Sequence, residues 1–339
     1  MAKSSGFQTS QQTNVIIGTE STFGTKVAAS GQNRIHMPVT SYSFSEVANH
    51  TLAVAPFRQG AGGATQSTEM VKAQRHDRMY EITLEFMGSP QAINRICLAL
   101  YGDDDGTNAL LGSMPASHNI SGSTAVPVTL YFDKGSASAD NTALSFASCM
   151  VTSFTLSGDI GSNGGVIMGS ATFVTGFNPE KANISFSGSG ETTIADQISY
   201  FNMHDLSATT ITPSSGSAED LVLFSFELNI ARSVNRVGFD TAANNFKPLG
   251  YVIGGYEVTG SMVVKRDAES DAAISFADNA EPLCAISITD GTFAIAAEKA
   301  LIDQSSINFD EDGFKSVIPF RCTYNAANTS NPVVTISTA

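Results

Sequence analysis

The sequence contains no tryptophan, and only 18 lysines and arginines stand against 32 aspartates and glutamates. The formal net charge of −14 excludes the usual electrostatic grip on nucleic acid, in which basic side chains neutralise phosphates and release counterions. Charge of either sign is scarce: 15% of residues are charged, against about 25% in ordinary soluble proteins. With a mean hydropathy of +0.02, the surface must be built largely from Ser, Thr, Asn, Gln and Gly. Such groups cost less to desolvate at an interface than Lys or Glu. That composition suits a subunit packed against many others better than a solitary enzyme.

Other absences narrow the chemistry. Cys97, Cys149, Cys284 and Cys322 form no Cys-x-x-Cys pair, which points to buried, reduced thiols and away from a zinc or redox motif. No run of ~18 apolar residues occurs, and the opening MAKSSGFQTSQQT lacks an apolar leader core, so neither a membrane span nor a signal peptide is expected, and folding in a cytoplasm is. His36, His50, His76, His118 and His204 show no i,i+4 pairing, so no metal site is expected. No nucleophile elbow, phosphate loop or Rossmann glycine pattern is present, and Gly158 to Gly165 reads as a hairpin. Asp103-Asp104-Asp105-Gly106 and Asp310-Glu311-Asp312-Gly313 lack calcium-loop spacing and read as tight turns. The expectation is a non-enzyme with no catalytic residue and no cofactor. A carbohydrate-binding or carbohydrate-active β-sandwich is the alternative of another class, weakened because sugar sites commonly stack their ligand on aromatic faces.

What the chain does contain is period-two alternation, the mark of half-buried strands. Strands are expected at 42–47, 80–86, 126–132, 151–157 and 168–174, with one helix opened by Ser89-Pro90 and closed by Gly102. The stretch 48–77 reads as a long interaction arm. The second half repeats this order: a strand at 223–228, an arm from Ala231 to Gly254, and Tyr256-Glu257-Val258-Thr259 in the place of Tyr80-Glu81-Ile82-Thr83. A helix-compatible segment from Asp267 to Asp278 follows, then strands at 284–289, 305–309 and 316–324. At 339 residues the chain is comfortable for two units, read as 1–182 and 221–339 joined by a Ser/Thr/Gly-rich linker over 183–220. Alternation places Glu81, Thr83 and Glu85, and likewise Glu257, Thr259 and Ser261, on one face of their strands. That face is read either as the lining of a channel or as a simple solvent face.

The segment Gly18-Thr19-Glu20-Ser21-Thr22-Phe23-Gly24-Thr25, followed by Pro38-Val39-Thr40-Ser41, resembles the opening of bacteriophage tail tube (major tail) proteins. Phe224 to Arg232 followed by Tyr256-Glu257-Val258-Thr259-Gly260-Ser261 resembles that family's core. The resemblance implies a mainly β chain of duplicated tail-tube-type β-sandwich or barrel units, each with a flanking α-helix. It implies self-assembly into stacked rings in the virion tail, alongside other tail proteins, with DNA passing through the lumen without specific binding. A duplicated chain implies a ring trimer with pseudo-sixfold symmetry; an unduplicated one implies a hexamer. A tail terminator, baseplate hub or decoration protein of related fold is the alternative within the same class.

Overall fold

The computed structural model describes residues 13–27, 34–47, 79–101, 117–119, 126–133, 143–182, 199–214, 216–238, 247–275, 283–302, 308–309, 314–324 and 333–338. These form β1 (Asn14–Thr19), β2 (Arg34–Met37), β3 (Val39–Val47), β4 (Met79–Met87), α1 (Pro90–Tyr101), β5 (Ser117–Asn119), β6 (Val128–Asp133), β7 (Ala143–Asp159), β8 (Met168–Thr175) and β9 (Glu180–Ala182). They continue as β10 (Ala208–Pro213), β11 (Glu219–Asp220), β12 (Leu223–Val237), β13 (Gly250–Lys265), α2 (Ala268–Ser275), β14 (Leu283–Thr289), β15 (Phe293–Ile302), β16 (Asn308–Phe309), β17 (Lys315–Cys322) and β18 (Thr335–Thr338). The chain is mainly β, as expected, and its strands join into one large antiparallel sheet.

The main run of that sheet is β3-β4-β8-β7-β12-β13-β17-β16. Two branches leave it. In the first, β2-β1-β6 joins the beginning of β7, which β9 also pairs. In the second, β11-β10-β14 joins β15, which also pairs β18 and the end of β17. The pairing order of the strands up to β9 therefore recurs from β10 onward, with β15 and β16 together taking the part of the long β7. Branch and main run share one hydrophobic core. Phe132 of β6 packs on Tyr42 and Phe44 of β3, with ring centroids 5.0 and 6.0 Å apart.

Strand β7 can serve both layers because it bends at Ser148, whose φ of 46° is rare for a non-glycine residue. Buried Glu20 supports the bend. Its carboxylate accepts from the Ser148 N–H (2.7 Å), the Ser148 hydroxyl (2.6 Å) and the Thr129 hydroxyl (2.5 Å). Burial raises the pKa of Glu20 above its ordinary 4.5 despite these donors.

Helix α1 is capped as the sequence suggests, with the Ala92 N–H donating to Ser89 Oγ at 3.2 Å. Residues 92–100 are all buried, as befits a helix apolar on most sides. The α2 helix falls within the segment expected from Asp267 to Asp278 and is described over Ala268–Ser275, with residues 276–282 outside the described set. It is capped by Asp267, whose Oδ1 accepts from the Ser270 N–H at 3.1 Å.

Several expectations need correction. The stretch Ala231 to Gly254 is not mainly an arm. Strand β12 continues to Val237 and β13 begins at Gly250, making a long hairpin paired out to Val237 opposite Gly250. The stretch 183–220 is not wholly a connection either, since its second part carries β10 and β11. Strand β7 begins well before Val151. Strand β15 was not expected at all: its Ala-rich run with Glu298-Lys299 has helical composition, yet Phe293, Ile295 and Ala297 alternate inward as a strand requires. The arm at 48–77 and the acidic turns at 103–106 and 310–313 lie outside the described residues.

Candidate functional site: a polar sheet face and its internal junction

Cross-strand register shows which side chains share a face. Starting from Glu85, one row crosses the main run as Ser41, Glu85, Ser170, Thr155, Asn229, Thr259 and Arg321. A second row runs Ser43, Thr83, Thr172, Ser153, Ala231 and Glu257. A third includes Ser157, Glu227, Ser261 and Pro319. The six residues singled out in the sequence, Glu81, Thr83, Glu85, Glu257, Thr259 and Ser261, thus lie on one face of one sheet. Their two strands are separated by β8, β7 and β12, about 19 Å at the usual strand spacing.

The face is hydroxyl-rich and cross-linked. Ser41 Oγ donates to Glu85 Oε2 at 2.5 Å, Thr83 and Thr172 hydroxyls meet at 3.3 Å, and Thr155 Oγ1 donates to Asn229 Oδ1 at 3.2 Å. Its carboxylates include Glu81, Glu85, Asp159, Glu227 and Glu257. Arg321 is engaged with Glu257 at 3.1 Å, and Lys265 with Asp267 at 3.4 Å. A cavity of about 310 Å³ opens beside Asp159, Ser162, Asn163 and Glu227. Among the described residues no group of three or more His, Cys, Asp or Glu could hold a metal ion. The surface offers hydroxyls and dispersed negative charge, which repels phosphate instead of gripping it. Sequence reading missed Asn229, Glu227 and Asp159. Each occupies the polar alternate position of its strand, and that signal would have found them.

What unites the two ends of this face is the junction of β7 with β12, paired from Ser153 opposite Ala231 to Asp159 opposite Ser225. Arg232 locks it. Nε donates to the Val151 carbonyl of β7 (2.8 Å), Nη1 to the Tyr256 hydroxyl (3.1 Å) and Nη2 to the Ala99 carbonyl of α1 (3.4 Å). The Tyr256 hydroxyl donates in turn to the Leu100 carbonyl at 2.7 Å. Guanidinium and hydroxyl together satisfy carbonyls at the C-terminal end of α1, where the helix dipole favours a cation. Burial pulls the Arg232 pKa down, opposed by Tyr256.

Packing at the junction leaves no room for a methyl group. A Cβ on Gly158, which stands opposite Phe226, would lie 2.4 Å from Met203 Sδ and 2.9 Å from Phe226 Cε1. Gly158→Ala is therefore expected to cost about 1–3 kcal/mol, read as a lower urea midpoint at unchanged m-value.

All four cysteines are buried and free, and burial raises the Cys284 and Cys322 thiols to about 11 and 12, which leaves them unreactive. Of the histidines, His36 and His204 lie in the described loops and strands, His118 falls in β5, and His50 and His76 are outside the described set. Among the described helices none is long and apolar enough to cross a membrane. No protein-family model matches the sequence, and no curated protein matches it significantly.

Proposed function

We propose that this chain is a self-assembling structural subunit whose sheets close into rings. More particularly, it is the subunit of a bacteriophage tail tube, built from two copies of one unit and conducting DNA through a lumen lined by the polar face. The observation that carries this reading is the β7–β12 junction. Two sets of strands with the same pairing order meet edge to edge within one chain and make a single sheet. Repeating that step between chains leads to ring closure, which removes the exposed edges that otherwise invite uncontrolled pairing.

The dimensions agree with a channel. Eight strands per chain in the main run, taken three times, give a closed sheet roughly 45–50 Å across at the usual spacing and tilt. The face lined by Glu81, Thr83, Glu85, Glu257, Thr259 and Ser261 would then turn inward, and its carboxylates would keep a polyanion moving past.

Negative-stain electron microscopy of the purified protein tests the proposal. The expected images are rings of three chains with pseudo-sixfold symmetry, stacked into tubes with a central channel. Closed single rings that never stack would favour a tail terminator. A monomer at high concentration that binds or cleaves a glycan would overturn the tube reading in favour of the carbohydrate-protein alternative.

A further inference from the structure

Strands β7 and β8 are joined by a turn over 160–167 that carries the one Asn-Gly step of the sequence, Asn163-Gly164. An asparagine followed by glycine is chemically weak wherever the main chain lets the glycine nitrogen reach the side-chain amide, because no side chain on the next residue shields that nitrogen. Other described asparagines are protected twice. Asn94 lies in α1 ahead of Arg95, Asn229 in β12 ahead of Ile230, and Asn202 ahead of buried Met203. Their side chains are also engaged, by the Thr338 hydroxyl, the Thr155 hydroxyl and the His204 N–H.

Asn163 has neither protection. It is exposed on the turn, and among the described residues its side chain meets no hydrogen-bond partner. The Gly164 N–H is equally open. Ser162 stands at the cap position, but its hydroxyl makes no capping bond. The turn's backbone bonds come from the following nitrogens, Gly165 N–H to the Ser162 carbonyl (2.8 Å) and Val166 N–H to the Asn163 carbonyl (3.3 Å). A Cβ built on Gly164 would meet nothing within 4 Å, so the space around the residue is open. Asn163 also holds a φ of 53°, a left-handed backbone that intrinsic preference does not oppose leaving. What is tethered lies beyond the reacting atoms: Asn202 Nδ2 donates to the Gly164 carbonyl at 3.0 Å.

We propose that Asn163 is a site of spontaneous deamidation at the edge of the polar face. The Gly164 nitrogen loses its proton and attacks Asn163 Cγ, forming a C–N bond as the Cγ–Nδ2 bond breaks. Ammonia leaves carrying that proton, and a cyclic succinimide remains. Water then opens either carbonyl of the ring, giving aspartate or, with the main chain rerouted through the side chain, isoaspartate. No oxidant, reductant or cofactor enters. Each event adds a carboxylate beside Asp159 and Glu227, with which Asn163 lines the cavity of about 310 Å³. Isoaspartate also lengthens the main chain between β7 and β8 by a methylene. The inference does not depend on ring formation.

The test holds the purified full chain in warm, mildly alkaline buffer, natively folded and, in parallel, unfolded in guanidinium chloride. Both samples are followed by anion exchange, released ammonia, peptide mass spectrometry and an isoaspartyl methyltransferase assay. The expected result is a more acidic species that accumulates faster at higher pH and carries isoaspartate at position 163. It should form in the folded chain within about tenfold of the unfolded rate, as an exposed turn of low opening free energy allows. Asn163→Gly, which suits the left-handed backbone, should remove that species, and Gly164→Ala should slow it severalfold while leaving the amide in place. An Asn163 amide that stays intact in the folded chain while the unfolded chain reacts, or acid that appears first at another described asparagine, would overturn the assignment.

Discussion

Arg232→Met should lower the unfolding free energy by about 3 kcal/mol or more, the largest loss expected from a single side chain on the main sheet. Arg232 is 6% exposed and serves three acceptors on three elements: the Val151 carbonyl of β7, the Ala99 carbonyl of α1 and the Tyr256 hydroxyl of β13. Methionine fills much of the volume but donates nothing, so buried carbonyls lose their partners and pay the desolvation cost in full. Arg232→Lys should rescue little, because an ammonium cannot reproduce the planar fork that reaches in three directions. The guanidinium also lies over the Tyr256 ring, 5.5 Å from its centroid. Urea denaturation of the two variants checks the ranking, with Lys expected near Met and far from the parent.

Glu20→Ala should be nearly as damaging, at about 3 kcal/mol, for a different reason. The carboxylate is 3% exposed and accepts from one backbone N–H and two hydroxyls. Without it the Ser148 N–H is left buried and unpaired at the residue whose left-handed backbone already costs on the order of 1 kcal/mol. The pH dependence has a definite sign. The folded-state pKa of Glu20 is raised by desolvation, so between 4.5 and that raised value the folded chain holds a proton that the unfolded chain has released. The contribution of Glu20 to stability therefore increases as pH falls into that window and decreases as pH rises through it. Glu20→Gln removes the dependence. The difference in stability between parent and Glu20→Gln should shift towards the parent as pH is lowered from neutral into that window, measured by thermal unfolding in matched buffers. A constant difference would show that Glu20 does not titrate there.

Much of the local structure was legible. Tyr80 to Phe86 and Tyr256 to Met262 alternate cleanly because each strand buries one face and exposes the other. Ser89-Pro90 announces α1 because cap and first-turn chemistry is local. The failures lie where distant contacts decide. Arg232, Val234, Asn235 and Arg236 read as an arm, yet they are strand because β13 pairs with them and Arg232 has acceptors on β7 and α1. No strand was expected over Phe293 to Ile302 because alanine tolerates either state, and only pairing with neighbours such as β14 and β17 selects the strand. The polar positions of the candidate face could be picked out one strand at a time. That Glu81 and Glu257 share a surface follows only from the meeting of β7 and β12, whose Thr155 and Asn229 are 74 residues apart. The motif containing Glu20 was visible as a motif, but its partner Ser148 lies 128 residues away and no local pattern points to it.

The bend at Ser148 has a bearing on how the molecule comes apart. Because β7 is at once a member of the first branch, the neighbour of β8 and the neighbour of β12, no plane divides the chain into halves without tearing that strand from a partner. A polypeptide that reads as two repeats is therefore expected to melt as one cooperative body. Calorimetry should show a single transition whose van't Hoff and calorimetric enthalpies agree, and the slowest amide hydrogens to exchange with solvent should be those of β7 between Ser153 and Ser157.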